Sequence, residues 1–195
     1  MTRARQPADW ETDLERGRQD EDEFRRALQD HGFGLFRDGT GAFQELDFCV
    51  DYRDQPRWID VKGKWSHCSG GISALWPEVP STELMVVDET VFRRVVSLGG
   101  AGYLAIHDHP GDRWVYLGPW ELTLSENRRF QRREHRSTSF LEGKILLDLR
   151  CSSWVSEGGI DIPTLLDLFE AVDSALDIVD AIEFPNEPPL PVLGH

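Results

Sequence analysis

Cysteine is scarce in this chain, and the few cysteines present are not arranged in pairs. Only three occur, at Cys49, Cys68 and Cys151, and none belongs to a CxxC motif. An odd number of widely spaced cysteines argues against a disulfide framework and against a structural zinc site built from paired thiolates. We therefore expect three reduced thiols.

Long apolar stretches are also lacking. No run of about 18 apolar residues occurs, and the N-terminus is polar and charged, without the apolar centre of a signal peptide. We therefore expect no membrane span and a cytoplasmic location. A chain of 195 residues is long enough for one sizeable hydrophobic core and too short for two ordinary domains with a linker.

Lysine and arginine are missing from the C-terminal segment 157–195, which we call the acidic segment. It contains nine acidic residues and accounts for nine of the 14 net negative charges of the chain. Apolar residues recur at helical spacing over 165–179, so the pattern predicts an acidic helix followed by a proline-rich extended tail. We expect residues 1–156 to form the main domain, with the acidic segment packed on it.

The rest of the chain alternates helical and strand-like segments. A sparse apolar stripe predicts a solvated helix over 13–31, and short strands joined by tight turns follow to about residue 64. A strand and a helix over 83–98, a hairpin over 102–122 and a strand over 143–150 complete the pattern. This order is typical of an α/β domain.

The sharpest local pattern is WIDVKGK, in which Asp60 and Lys62 stand two residues apart on a predicted strand. Residues at this spacing point to the same face, whereas Ile59 and Val61 point to the core. A charged pair on an apolar strand is costly to bury unless it serves chemistry. For the tripeptide by itself, a surface ion pair is the simpler interpretation.

Asp47 changes that interpretation, because it lies on the preceding predicted strand. Antiparallel pairing could bring it close to Asp60. Two adjacent carboxylates repel each other unless a cation joins them, and Mg²⁺ prefers one or two carboxylates together with water and phosphate oxygens. The pattern predicts metal-assisted phosphate chemistry, in which Lys62 orients or deprotonates an attacking water.

The order of these residues resembles the signature of the PD-(D/E)XK nucleases, in which a helical glutamate precedes an aspartate on one strand and (D/E)xK on the next. The spacing is most similar to that of Holliday-junction resolvases and related small endonucleases. Gly17, Glu21 and the pair Gly32-Phe33 stand at the separations found in that group, and Asp47 precedes Asp60 by thirteen residues.

This resemblance implies a restriction-endonuclease-like α/β fold, with a mixed β-sheet flanked by helices and an acidic C-terminal helix. It implies DNA as substrate and Mg²⁺ or Mn²⁺ as cofactor. Asp47 and Asp60 are then metal ligands, Glu21 has a supporting or metal-water role, and Lys62 is the catalytic lysine. Leu46 replaces the proline of the family name. The acidic neighbours of Glu21 leave open a shift of its role by one residue.

Phosphate contacts require basic side chains, although the net charge of the chain is −14. Five arginines fall within nine residues, where the pattern predicts a short helix with one basic face. The candidates for nucleic-acid binding are Lys64, Arg128, Arg129, Arg132, Arg133 and Arg136. In a rival interpretation this helix pairs with the acidic segment, which then competes with nucleic acid.

Other functions remain open from the sequence. One is a metal-dependent ribonuclease with the same residues, and another is a non-catalytic subunit with a nuclease fold that binds a protein partner through the acidic segment. A homodimer through the helix over 164–180 is a further possibility, although packing in the core is the favoured use of that helix.

Two weaker patterns are expected to have no catalytic role. The triplet His107, Asp108 and His109 has no downstream partner at the spacing of a metal site, so we expect a loop without a ligand. His67 and Cys68 lack a third residue that would orient them as a nucleophile and base, and a structural role is favoured.

Overall fold

The computed structural model describes residues 7–38, 46–133 and 141–181. The helices of these ranges are α1 (Pro7–Asp30), α2 (Gly70–Ser73), α3 (Glu89–Ser97), α4 (Pro119–Leu124) and α5 (Ile162–Ala181). The strands are β1 (Leu35–Asp38), β2 (Phe48–Tyr52), β3 (Gln55–Lys64), β4 (Leu84–Asp88), β5 (Gly102–Asp108), β6 (Arg113–Leu117), β7 (Asn127–Arg133), β8 (Leu141–Asp148) and β9 (Val155–Glu157).

Six strands form the larger sheet, in the order β1-β2-β3-β5-β6-β9. β3 and β5 are parallel, whereas the other neighbours are antiparallel. The sheet is therefore mixed and flanked by helices, as predicted. The chain between β3 and β5 contains β4 and α3, which supply the long crossover that parallel neighbours require.

One face of the larger sheet is covered by α1 and α5. Phe24 and Leu28, four residues apart on α1, are buried in the same core cluster as Ile59 and Val61 of β3. The predicted stripe of α5 is buried in that cluster as well, through Leu165, Leu168, Phe169 and Val172. This helix therefore packs in the core, which is the use that its sequence favoured.

The opposite face of the larger sheet packs against a second sheet, in the order β4-β8-β7. Leu104 and Ile106 of β5 are buried against Val87 of β4 and Leu147 of β8. Side chains two residues apart on a strand share a face, so Asp60 and Lys62 of β3 lie on this side. The candidate site therefore belongs to the side of the sheet that faces the smaller one.

The helix predicted over 125–136 is wrong for the part that the structure describes. Asn127–Arg133 is β7, an edge strand of the smaller sheet, and it pairs with β8 along its whole length. Phe130 packs against the small apolar cluster of Trp76 and Leu146, a contact that alternation along a strand permits. Side chains four residues apart share a face in both a helix and a strand, so the spacing of the arginines does not distinguish the two conformations. Pairing with β8 makes this segment a strand.

Two expected absences can be compared with the structure. No disulfide joins Cys49, Cys68 and Cys151, all of which lie within the described ranges. In the part of the chain that the structure describes, no helix has the length and apolar character needed to cross a membrane.

Candidate active site

Asp47, Asp60 and Lys62 come together where β2 and β3 pair. Phe48 lies opposite Ile59 in the antiparallel register, so the preceding residue, Asp47, lies opposite Asp60. Lys62 follows Asp60 by two residues on β3 and shares its face. The hairpin alone is thus sufficient to bring the three side chains into one cluster.

The contacts within this cluster are direct. Oδ2 of Asp47 accepts a hydrogen bond from the backbone amide of Val61 at 2.7 Å and lies 3.8 Å from Nζ of Lys62. Nζ of Lys62 also forms an ion pair with Oδ2 of Asp60 and donates to the carbonyl oxygen of Val61 at 3.0 Å. One amine therefore lies between two carboxylates.

Burial changes the protonation chemistry of the pair on β3. The Asp60 side chain is only 3% exposed. Burial raises the pKa of Asp60 above its usual range, and the charge of Asp47 adds to this effect while Lys62 opposes it. Burial by itself lowers the pKa of Lys62, but Asp60 and Asp47 raise that pKa by more. Lys62 is therefore held as an ammonium ion.

Glu21 of α1 interacts electrostatically with the same three residues. Burial raises the pKa of Glu21 to about 7, the charges of Asp47 and Asp60 add to the shift, and Lys62 opposes it. The neighbours of Glu21 are engaged elsewhere, because Asp20 contacts two histidines and Asp22 pairs with Arg25. Among these three acids, Glu21 is the one that is electrostatically coupled to the cluster.

The donor set fits a hard divalent cation. Three carboxylates and one ammonium leave an excess of two negative charges when all four groups are ionised. Burial is the main cause of the raised pKa values of Glu21 and Asp60, and the neighbouring carboxylates add to it. Carboxylate oxygens are the ligands that Mg²⁺ and Mn²⁺ prefer. The oxygens of Asp47, Asp60 and Glu21 are not among the ligand atoms that already lie within 4.8 Å of one another, so a bound ion would have to draw these side chains together.

Lys64 shares a face with Lys62 but does not reach this cluster. Its Nζ lies 2.7 Å from Oδ1 of Asp108 and also contacts the carbonyl oxygen of Thr82. The Lys64 side chain is 3% exposed. In this arrangement the enclosed amine cannot reach a phosphate, and Lys64 instead links β3 to the end of β5.

The basic residues of β7 do not form the single face that a helix would have given. Arg128 lies over the ring of Trp76 and pairs with Glu78 at 3.4 Å, whereas its neighbour Arg129 pairs with Glu89 of α3 at 2.6 Å. Adjacent residues of a strand point to opposite sides, which explains the separation. The side chains of Arg132 and Arg133, and the whole of Arg136, lie outside the described residues.

A second polar cluster was missed by the sequence analysis. Nδ1 of His107 and Nε2 of His109 lie 2.8 Å and 2.9 Å from Oδ1 of Asp20. The two histidines stand two residues apart and therefore share a side of the chain, while Asp108 points away to Lys64. Their partner does not follow them in the sequence but lies 87 residues upstream of His107, on α1. The only sign of this partner in the sequence is the run of acidic residues on α1.

Comparisons with known proteins do not identify the function of the chain. No protein-family model matches the chain, and no curated protein matches it significantly. Among solved structures, the chain is similar to Hjc, a Holliday junction resolvase from the archaeal hyperthermophile Archaeoglobus fulgidus, at 14% sequence identity and a TM-score of 0.42. The match covers 73% of this chain and 91% of the resolvase chain. A functional assignment therefore has to depend on the geometry of the site.

Proposed function

We propose that this protein is a metal-dependent endonuclease that hydrolyses phosphodiester bonds in DNA. One observation carries the proposal: Asp47, Asp60 and Lys62 share a single partly buried cluster, to which Glu21 is electrostatically coupled. These are the four residues that the resemblance to PD-(D/E)XK nucleases selects. A chance surface ion pair between Asp60 and Lys62 would require neither the burial of Asp60 nor a second carboxylate opposite it.

Each residue of the cluster has a chemical role in this proposal. Asp47 and Asp60 would hold Mg²⁺ or Mn²⁺ with support from Glu21, and the amide of Val61 fixes the orientation of the Asp47 carboxylate. Such an ion would supply Lewis-acid chemistry for phosphodiester hydrolysis.

The positive charge of Lys62 limits the catalytic roles that this residue can have. Its neighbouring carboxylates raise the pKa of its amine, so the protonated form is favoured and proton abstraction from water is not. An ammonium ion at this position can donate a hydrogen bond to a phosphate oxygen or orient the attacking water. Of the two roles that the sequence suggested for Lys62, we therefore propose orientation of the water and not its deprotonation.

Cleavage assays test the proposal directly. Supercoiled, linear and branched DNA are incubated with the full chain and Mg²⁺ or Mn²⁺, and the substitutions Asp60→Asn and Lys62→Met are compared with wild type. Asp51→Asn is the matched control, because Asp51 is an exposed aspartate on β2. We expect EDTA to abolish cleavage, both cluster variants to lower it about 100-fold or more, and the control to leave it unchanged.

The same assay distinguishes the alternatives. A ribonuclease would use the same cluster, so single-stranded and duplex RNA are included, and cleavage of RNA alone would replace DNA as the substrate. A non-catalytic subunit would leave every substrate intact under all metal conditions. Cleavage that persists undiminished in Asp60→Asn and Lys62→Met would remove the cluster from the mechanism. A preference for branched DNA would indicate selection by structure.

A further inference from the structure

We propose that Asp20, His107 and His109 form a second cation site, which binds a divalent transition metal such as Zn²⁺. The proposal goes beyond the nuclease function, because the two sites share no residue. Asp20 and Glu21 are consecutive on α1, but they serve different clusters. His107 pairs in register with Gly63 of β3, on the face of the larger sheet opposite to Lys62.

The donor atoms of this site converge from three elements. Asp20 lies on α1, His107 on β5, and His109 in the short turn that follows β5. The three ligand atoms lie within 4.8 Å of one another. Two imidazoles and one carboxylate are a donor set that suits zinc and other first-row transition metals, and three protein ligands leave coordination positions for water or substrate. Mg²⁺ prefers the all-oxygen set on the other face.

The charge of Asp20 is not balanced by a basic side chain. Its side chain is 1% exposed, and within the described ranges no lysine or arginine pairs with it. A buried carboxylate without a cationic side chain beside it is costly, and a bound dication would offset that cost.

An unsatisfied oxygen is a second and independent observation. Both histidines contact Oδ1 of Asp20, whereas Oδ2 is buried and has no hydrogen-bond partner among the described residues. This oxygen lies directly against β3, where a Cβ atom on Gly63 would stand 2.1 Å from it. The carboxylate can approach the strand so closely only because residue 63 has no side chain.

Aromatic rings enclose the histidines. The rings of Trp114, His107, His109 and Trp65 stack in that order, with centroids 4.5 Å, 3.6 Å and 3.4 Å apart. A metal ion lies in the plane of each imidazole that binds it, but the two histidine planes are inclined by only 29°. Coordination must therefore open the histidine pair and shift the stack on Trp65. Both histidines remain partly exposed, which leaves a path for an ion.

Metal titration of the full chain tests this site. Zn²⁺ binding is measured by calorimetry for wild type, His109→Ala and Asp20→Asn, and His67→Ala is the matched control because His67 is exposed and outside the cluster. We expect one tight site in wild type and control, weakened about tenfold or more in the two cluster variants. His109→Gln, which keeps a polar side chain of similar length, should lose the site with an unchanged circular dichroism spectrum.

Two further measurements separate this site from the proposed active site. Asp60→Asn should weaken Mn²⁺ binding at the active site and leave tight Zn²⁺ binding unchanged. The visible spectrum of bound Co²⁺ should show nitrogen coordination in wild type and lose that signature in His109→Ala. The site is ruled out if wild type binds Zn²⁺ no more tightly than His109→Ala, or if Asp60→Asn removes the tight Zn²⁺ site. Neither of those results depends on whether DNA is cleaved.

Discussion

Asp60 and Lys62 illustrate how a single residue acquires its chemistry from its neighbours. A lysine two residues after an aspartate is common on exposed strands, and there the pair contributes little. Here Asp60 is buried and Asp47 lies across the hairpin, so one ammonium serves two carboxylates. The register of β2 and β3 therefore determines the chemistry, because a slip by one residue would place Asp47 on the other face.

Glu21 provides a prediction at this scale that concerns stability. Its pKa is raised from 4.5 to about 7 in the folded chain, so the folded state binds more protons than the unfolded state between these values. Stability therefore falls as pH rises through this window, and the full cost is present above about pH 7. Glutamine cannot ionise, so Glu21→Gln avoids the cost.

In EDTA at pH 8 we expect Glu21→Gln to be more stable than wild type by about 1 kcal/mol, after allowance for solvent screening, or roughly 2–4 °C in Tm. The difference should shrink at pH 5.5. Glu15→Gln is the control, because Glu15 is an exposed glutamate of the same helix. Equal Tm differences at both pH values, in thermal melts of the three proteins, would contradict the raised pKa.

At the scale of secondary-structure elements, α5 is attached to the larger sheet by charge as well as by its apolar stripe. Arg57 of β3 has a side chain that is 5% exposed and pairs with Asp173, while Arg53 pairs with Glu170. Loss of Asp173 leaves a buried guanidinium without its acidic partner, which is costlier than the loss of a surface ion pair.

Asp173→Asn should therefore lower the free energy of unfolding by about 2 kcal/mol, or roughly 4–8 °C in Tm. Asp177→Asn, one helical turn later and exposed, should change Tm by less than about 1 °C. Thermal or urea denaturation measures both variants. If the two substitutions cost the same, the Arg57 pair does not anchor α5.

β7 gives a prediction about nucleic-acid binding. We propose that its arginines, together with Arg136, contact the DNA backbone, although Arg128 and Arg129 also pair with acids of the chain. Replacing a phosphate contact weakens binding to all sequences and reduces the dependence of log K on log salt by about one. Arg128→Ala should show this change in anisotropy titrations without Mg²⁺, whereas Arg53→Ala, in the turn between β2 and β3 of the larger sheet, should not. Identical salt slopes for both would exclude Arg128 as a phosphate contact.

The elements also show what local sequence can predict. The pairing of β2 with β3 and the apolar stripe of α5 are local or nearly local patterns, and their prediction was correct. The prediction of a helix at β7 was wrong because this strand is stabilised by pairing with residues 141–148, and periodicity within a segment does not show which other segment pairs with it. The two polar clusters differ in the same respect. The pairing of one hairpin predicts that Asp47, Asp60 and Lys62 lie together, whereas the contact of His107 with Asp20 depends on packing between elements that are distant in the sequence.

At the scale of the whole molecule, the negative charge of the acidic segment is not concentrated in a separate tail. Seven of the nine acids of the acidic segment lie within 157–181, and this part contains α5, whose apolar stripe is buried in the core. Removal of the entire segment would therefore remove part of the core. The hypothesis that the segment competes with DNA has to be examined by truncation after Ala181, beyond which the chain lies outside the described residues.

One packing arrangement bears on both proposed cation sites. α1 lies against the larger sheet at β3, where Asp20 contacts the two histidines and Glu21 is electrostatically coupled to Asp47, Asp60 and Lys62. Gly63 permits this close approach, since a side chain there would collide with Asp20. The position of this helix therefore affects both proposed sites.

Anomalous diffraction from crystals soaked in Mn²⁺ is the most direct test of the central claim, which is that distant carboxylates share one cation beside Lys62. We predict an anomalous peak within bonding distance of side-chain oxygens of both Asp47 and Asp60, absent from crystals of Asp60→Asn. Density that shows these two carboxylates turned away from each other, or Mn²⁺ bound only elsewhere on the molecule, would contradict the account.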